Sequence, residues 1–322
     1  MSNTRFFNHI QLSKKEVESI FKDFSQNLDV NAFKLLDEGL STSNYCVTTK
    51  ENKYLLRVYP LESNNYVNEI AAYKYAQLHV NVPSLLYVDQ SKAIIDYVFM
   101  ICEYIEGVTL QRFVAKQGGL TADLAYSIGE NLGRLHQKRY DSMCLLNGEL
   151  EVKKQLLPVT SLHDFYLKNT AGGLIKEQTK NRLLRFIERN QLWITKLDDK
   201  YSFSHGDFTL TNIMVDSKDR VWFIDFEYCL SAPIYYDIGK FFRKRKVFEK
   251  TDIQMLRKHF MSGYQKTSQY KLPNDWFELS MFFDICSMLQ IINNGKAPTH
   301  WAEAVDRDLN IILDELESIN LT

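Results

Sequence analysis

Apolar residues recur along this chain with two different periods, and the change of period divides it. Between residues 33 and 105 they gather in short runs: Phe33–Leu36, Tyr45–Thr48, Tyr54–Tyr59 and Tyr97–Ile105 read as strands, with one helical stretch from about Ser63 to Leu78 among them. Tyr97 to Ile105 is nearly continuous in apolar side chains, the pattern of a strand covered on both faces. Beyond Gly107 the spacing changes to threes and fours. Leu124, Ile128, Leu132 and Leu135 form one stripe of a helix from Thr121, its N-cap, to Arg139. Residues 174–197, 251–269, 276–293 and 299–318 read as four more helices. A leading helix over 13–27 opens on Ser13, with Glu16 in capping-box position. The expectation is an α+β chain with a strand-rich N-terminal unit (1–105) and a larger α-rich unit (106–322).

One segment, FSHGDFTLTNIMVDSKDRVWFIDFEY from 203 to 228, carries chemistry. Asp207 stands five residues before Asn212, and Asp225 follows thirteen later, behind the apolar run Val221–Ile224. Phosphoryl transfer asks little covalent help of a protein: a carboxylate beside the attacking hydroxyl, and oxygen ligands for the magnesium that neutralises nucleotide phosphates. Asp207, Asn212 and Asp225 fit those needs in that order. Taken singly, each could equally cap a turn. His205 and Gly206 before Asp207, and the strand before Asp225, make the set more telling than its members.

The segment resembles the aminoglycoside phosphotransferase and choline kinase superfamily, through His205-Gly206-Asp207, Asn212, Ile224-Asp225-Phe226-Glu227-Tyr228 and Tyr236-Asp237-Ile238-Gly239. The resemblance implies a bilobal protein-kinase-like fold: an N-lobe antiparallel sheet with one main helix, above a larger α-rich C-lobe. It implies Asp207 as catalytic base, Asn212 and Asp225 as magnesium ligands, and Asp237 and His205 as structural braces of the catalytic loop. Magnesium and ATP or GTP are the implied cofactor and donor.

The upstream half reads accordingly. The loop Glu38–Asn44 offers Gly39, Ser41, Thr42, Ser43 and Asn44 to phosphate oxygens, although a Ser/Thr/Asn-rich hairpin turn has the same pattern. Arg57 is a cation inside an apolar β-run, so it needs an anionic partner or a cleft; an exposed strand face is the alternative. Glu69 on the following helix is the natural partner, and Arg57 replaces the lysine of kinases at this place. The resemblance puts the lobe hinge after the apolar strand, with backbone groups near Glu103 and Ile105 on the base edge.

The acceptor belongs in the C-lobe. In the resembling enzymes it is cationic, which points to carboxylates and rings: Glu227, Asp275, Glu278 and Asp284, with Trp276, Phe282, Phe283 and Trp301. Ordinary core aromatics and solvated charges would look the same. His136 reads as a packing or capping residue, and the basic run Arg243–Lys246 as a solvated helix end. Thr209 stands where protein kinases keep a lysine, and Phe226-Glu227 replaces Phe-Gly, which argues against a protein kinase.

Bulk properties narrow the partners. With 39 basic and 40 acidic residues the formal charge is −1, which disfavours nucleic acid. No apolar stretch approaches bilayer length, so no membrane partner is expected. Five dispersed cysteines without a C-x-x-C read as free thiols of a cytoplasmic protein. The expected partners are a nucleotide and a small-molecule acceptor. A choline or ethanolamine kinase, and a catalytically silent nucleotide-binding member of the fold, are the alternatives to an aminoglycoside phosphotransferase-like kinase.

Overall fold

The computed structural model describes residues 7–36, 41–243, 245–248, 251–295 and 297–319. Helix α1 (Lys14–Phe24) opens with the reciprocal Ser13/Glu16 capping box. Strands β1 (Val30–Leu36), β2 (Ser43–Thr49) and β3 (Lys53–Val58) follow, then helix α2 (Asn65–Ala76), β4 (Leu85–Asp89) and β5 (Phe99–Glu103). The five strands form one antiparallel sheet in the order β1-β2-β3-β5-β4.

Alternation within the sheet sorts its residues between two hydrophobic clusters. Tyr45, Val47, Leu56, Val58, Phe99 and Ile101 pack with Val17, Ile20 and Phe21 of α1. Met100 and Cys102, from the other face of β5, pack with Ala72, Tyr73 and Ala76 of α2. The continuous apolar run of β5 is thus explained by cover on both sides. Because Leu56 and Val58 face α1, Arg57 between them is turned toward α2.

A connection at 104–106 leads to β6 (Gly107–Thr109), α3 (Leu110–Gln117), α4 (Ala122–Leu135), β7 (Cys144–Leu146) and β8 (Val152–Gln155). Then come α5 (Val159–Lys168), α6 (Thr170–Leu174), α7 (Glu177–Arg189) and α8 (Gln191–Ile194). The single helix expected over 174–197 is therefore broken. Asn190 leaves helical geometry, and its side-chain amide caps the Phe186 carbonyl at 2.8 Å. Strands β9 (Tyr201–Ser204), β10 (Ile213–Asp216), β11 (Val221–Phe223) and β12 (Leu230–Pro233) precede helices α9 (Tyr235–Phe242), α10 (Ile253–Thr267), α11 (Trp276–Asn293) and α12 (Thr299–Glu317). The remaining strands form two small antiparallel sheets, in the orders β11-β10-β6 and β8-β7-β12-β9. Among the described residues no helix is long and apolar enough to cross a membrane, and all five cysteines are unpaired.

Helices α4 and α10 cross at close range because glycines line the crossing. A Cβ at Gly129 would lie 2.0 Å from the Phe260 carbonyl oxygen, and one at Gly263 2.0 Å from that of Tyr126. The crossing brings together the end of α4 and the middle of α10. There the buried His136 presents Nδ1 to the Tyr264 hydroxyl (2.9 Å) and Nε2 to Asp237 of α9 (3.1 Å). Asp237 accepts the backbone N–H groups of His205 (2.7 Å) and Gly206 (3.0 Å). The helical lobe thereby fixes the start of the segment 205–212. Burial pushes the Asp237 carboxyl up, but the His136 bond and the loop N–H groups outweigh it and hold it below its ordinary value.

Two outcomes follow. Gly263→Ala should lower stability by about 1–3 kcal/mol in urea unfolding, since overpacking outweighs the helix-propensity gain of roughly 1 kcal/mol. A gain would contradict the close crossing. The unfolded chain takes up the Asp237 proton before the folded one does, so this group's stabilisation is present above about pH 4 and lost as pH falls through the lower folded value. The stability gap between the natural chain and Asp237→Asn should therefore narrow from pH 6 to pH 3; a constant gap would show that Asp237 titrates normally.

Candidate active site

Strand β9 ends at Ser204 and the chain turns through Gly206 at φ +83°, where a Cβ would sit 1.9 Å from the Tyr228 carbonyl oxygen. Only glycine serves here. The turn projects Asp207, whose side chain is 36% exposed, toward the cleft. Asn212, just ahead of β10, donates its Nδ2 to the Asp207 backbone oxygen (2.9 Å) and to Asp207 Oδ2 (2.8 Å). With the amide so oriented, Asn212 Oδ1 points away from Asp207. His205 joins the two halves of the segment: Nε2 donates to the Ile224 carbonyl (2.9 Å), while Nδ1 accepts the Asp207 N–H (3.3 Å).

Asp225 leaves β11 with φ +68°, a left-handed conformation that aspartate tolerates better than most residues. Its N–H donates to the Tyr73 hydroxyl at 3.2 Å. Arg57 Nη2 lies 2.6 Å from Asp225 Oδ1 and 3.2 Å from Glu69 Oε1. Glu69 is fully buried and accepts the Tyr59 hydroxyl at 2.7 Å. Burial pushes the Glu69 carboxyl up to about 8, with Arg57 pulling it down. Arg57 stays charged, held by the Asp225 and Glu69 carboxylates against its own burial. Its buried Nε has no hydrogen-bond partner among the described residues, nor has Asn44 Oδ1. A cation with an unused donor under a β-hairpin is suited to a phosphate oxygen.

Glu227 is buried next to Asp225, and both burial and that neighbouring charge push its carboxyl up. Asn65 Nδ2 approaches Glu227 Oε2 at 3.5 Å, and the Ser41 and Tyr228 hydroxyls are 3.5 Å apart. Of the loop residues expected on phosphate, Gly39 lies outside the described residues. Ser41 and Thr42 are buried beside Tyr228 and β2, and Ser43 accepts the Ile10 N–H at 2.8 Å. Glu103 closes β5 and receives Ser84 on its side chain (2.9 Å), and the half-buried to buried stretch through Ile105 forms the connection between lobes.

The remaining expected acceptor residues make contacts of their own, and the Arg243 that pairs with Asp284 also feels the charge of Asp207. Asp275 takes the Trp193 indole N–H (2.8 Å) and Lys196 (3.1 Å). Glu278 stands in the first turn of α11. Asp284 is buried in a two-point pair with Arg243, 2.8 Å from its Nε. Trp276, Phe282 and Phe283 are core residues. The pairing also corrects the reading of the basic run: Lys244 is outside the described residues, but Arg243 folds inward onto Asp284 because the end of α9 packs against α11. Sequence reasoning missed Tyr59, Tyr73 and Lys240. Tyr73 is four residues after Glu69 and Lys240 three after Asp237, so helical spacing was the available signal.

The oxygen donors Asn212 and Asp225, whose stretches are joined by the Ile224 N–H to Asn212 carbonyl bond, are of the hard type that magnesium takes, and magnesium keeps several positions for water and phosphate. No group of three or more His, Cys, Asp or Glu residues suited to a metal occurs among the described residues, so a softer metal has no such site.

The phosphotransferase enzyme family is matched over residues 32–276. A protein LicA homolog from Metamycoplasma hominis is 25% identical over 166 residues, covering 50% of this chain and 55% of the relative; the chain thus spans about half the length of that relative. Among solved structures, aminoglycoside phosphotransferase APH(4)-Ia superposes with a TM-score of 0.65 at 13% identity, over 94% of this chain and 99% of the other. Spectinomycin phosphotransferase APH(9)-Ia, in complex with ADP and spectinomycin, does so with a TM-score of 0.58 at 12% identity, over 96% and 100%. These structures share the bilobal fold. The chain belongs to the phosphotransferase enzyme family.

Proposed function

We propose that this chain is a small-molecule kinase that transfers the γ-phosphoryl group of ATP or GTP to a hydroxyl of a small acceptor. What supports this reading is the pairing of Asp207 with Asn212 in a loop bonded to the backbone of Ile224, the residue before Asp225, which itself pairs with the buried Arg57. An exposed carboxylate oriented by an amide favours this reading over a silent nucleotide-binding module. The structures of APH(4)-Ia with ADP and hygromycin B, and of APH(9)-Ia with ADP and spectinomycin, support nucleotide and small-molecule binding in this fold.

In this reading Asp207 orients the acceptor hydroxyl. As the acceptor oxygen bonds to the γ-phosphorus, the bond to the β,γ-bridging oxygen breaks and Asp207 takes the hydroxyl proton late. Arg57, released from Asp225, meets nucleotide phosphate with its unused Nε donor while Glu69 and Tyr59 hold its position. Asn212 Oδ1 and the Asp225 carboxylate would hold magnesium, which when bound neutralises the phosphate charge. His205 and Asp237 keep the loop in register, and backbone groups between Glu103 and Ile105 take the base. Among the carboxylates expected for a cationic acceptor, Glu227 is the one beside Asp225; Asp275 and Asp284 are already paired with Lys196 and Arg243. The unpaired cysteines accord with a cytoplasmic location.

Asp207→Asn should lower kcat by about 10²–10⁴-fold with an unchanged unfolding midpoint, measured with ATP or GTP and magnesium against aminoglycosides, choline, ethanolamine, thiamine and homoserine. Turnover surviving in the variant would remove Asp207 as base. Arg57→Ala should raise the nucleotide KM, and Asn212→Ala the magnesium concentration needed for half-maximal rate, each by roughly tenfold or more.

A further inference from the structure

Thr209, two residues after Asp207, carries no charge, and its hydroxyl is engaged with that of Thr211 at 2.8 Å. A cation nevertheless stands next to Asp207, and it comes from another element. Lys240 lies on α9, one turn after Asp237. Its Nζ is 3.7 Å from Asp207 Oδ1, donates to the Gly206 carbonyl and lies 4.7 Å from the centre of the Tyr236 ring. The Lys240 side chain is only 10% exposed.

Burying an ammonium is costly unless it is paired. The Gly206 carbonyl and the Tyr236 ring offset only part of that cost, and Asp207 is more than a third exposed, so the pair is open to the cleft. The loop does not need Lys240 to hold its shape, because Asp237 already binds the N–H groups of His205 and Gly206. On the other side of the site, Arg57 is shared between Glu69 and Asp225. Three N–H donors on an ammonium leave two after the Gly206 carbonyl, enough for Asp207 and one further oxygen.

We propose that Lys240 is a catalytic residue that binds an oxygen of the phosphoryl group in flight beside Asp207. This rests on the kinase reading. In a loose transition state the negative charge spreads over the three equatorial oxygens of the transferring group, and a fixed cation next to the attacking oxygen stabilises that charge more than it does the bound nucleotide. Lys240 would thus act on kcat. The cation arrives from α9, so its position is set by Asp237 on the same helix, which also sets the position of Asp207.

The test needs no knowledge of the acceptor. ADP binding is measured with magnesium, with and without aluminium fluoride, a planar mimic of the transferring phosphoryl group, for the natural chain and for Lys240→Met, Lys240→Arg and Asp207→Asn. Aluminium fluoride should tighten ADP binding by about 10²-fold in the natural chain, not in Lys240→Met, and substantially in Lys240→Arg, while ADP alone binds all of them within about threefold. Equal tightening in Lys240→Met, or none in the natural chain, would overturn the role of Lys240. A loss of ADP binding in Lys240→Met with a lowered unfolding midpoint, not rescued by arginine, would make Lys240 a loop brace and also overturn it. Failure of the natural chain to bind ADP at all would instead defeat the kinase reading.

Discussion

The Asp237 carboxylate is the point on which the site depends. It is fully buried, and it accepts two backbone N–H groups of the loop and the ring of His136, itself held by Tyr264. An ionised group in such a place is tolerable only when its oxygens are satisfied, and here the satisfaction comes from two separate stretches of chain, one of them braced by a third through Tyr264. Helices α4, α9 and α10 are thereby tied to the first residues of the loop that carries Asp207. Geometry at the cleft is inherited from the packing of the helical lobe.

The strand-rich lobe solves a related problem by sharing one cation. Arg57 has two carboxylate neighbours, Glu69 and Asp225, and their contacts run through the same Nη2 atom. That arrangement joins the sheet, α2 and the end of β11. The Arg57 contacts thus tie the N-terminal sheet to the segment that carries Asp225.

Much of this was legible in the sequence, for reasons that can be stated. A charge between Leu56 and Val58 must turn away from the apolar face, and alternation says which way. The capping box at Ser13 and the N-cap at Thr121 are local signals, and both caps form. The family and its two-lobed fold were implied by the resemblance that the motifs between 205 and 239 carry. The features that escaped depend on distant packing. Arg243 reads as a solvated helix end until α11 is placed against it and Asp284 is found opposite. Asn190 breaks a long helical pattern by a side-chain bond that periodicity does not register. Tyr59 and Tyr73 look like core aromatics, and only their hydroxyl partners reveal more. Asp275 and Asp284 were sensible anions for a cationic acceptor, but a lysine and an arginine of the chain itself hold them.

The glycine-lined crossing of α4 and α10 limits how this molecule can move. Backbones in contact at Gly129 and Gly263 leave no layer of side chains that could slip from one groove to the next. Shear is closed to this pair of helices, which therefore move together. Any rotation of the sheet relative to these helices would have to break the 2.6 Å contact between Arg57 and Asp225.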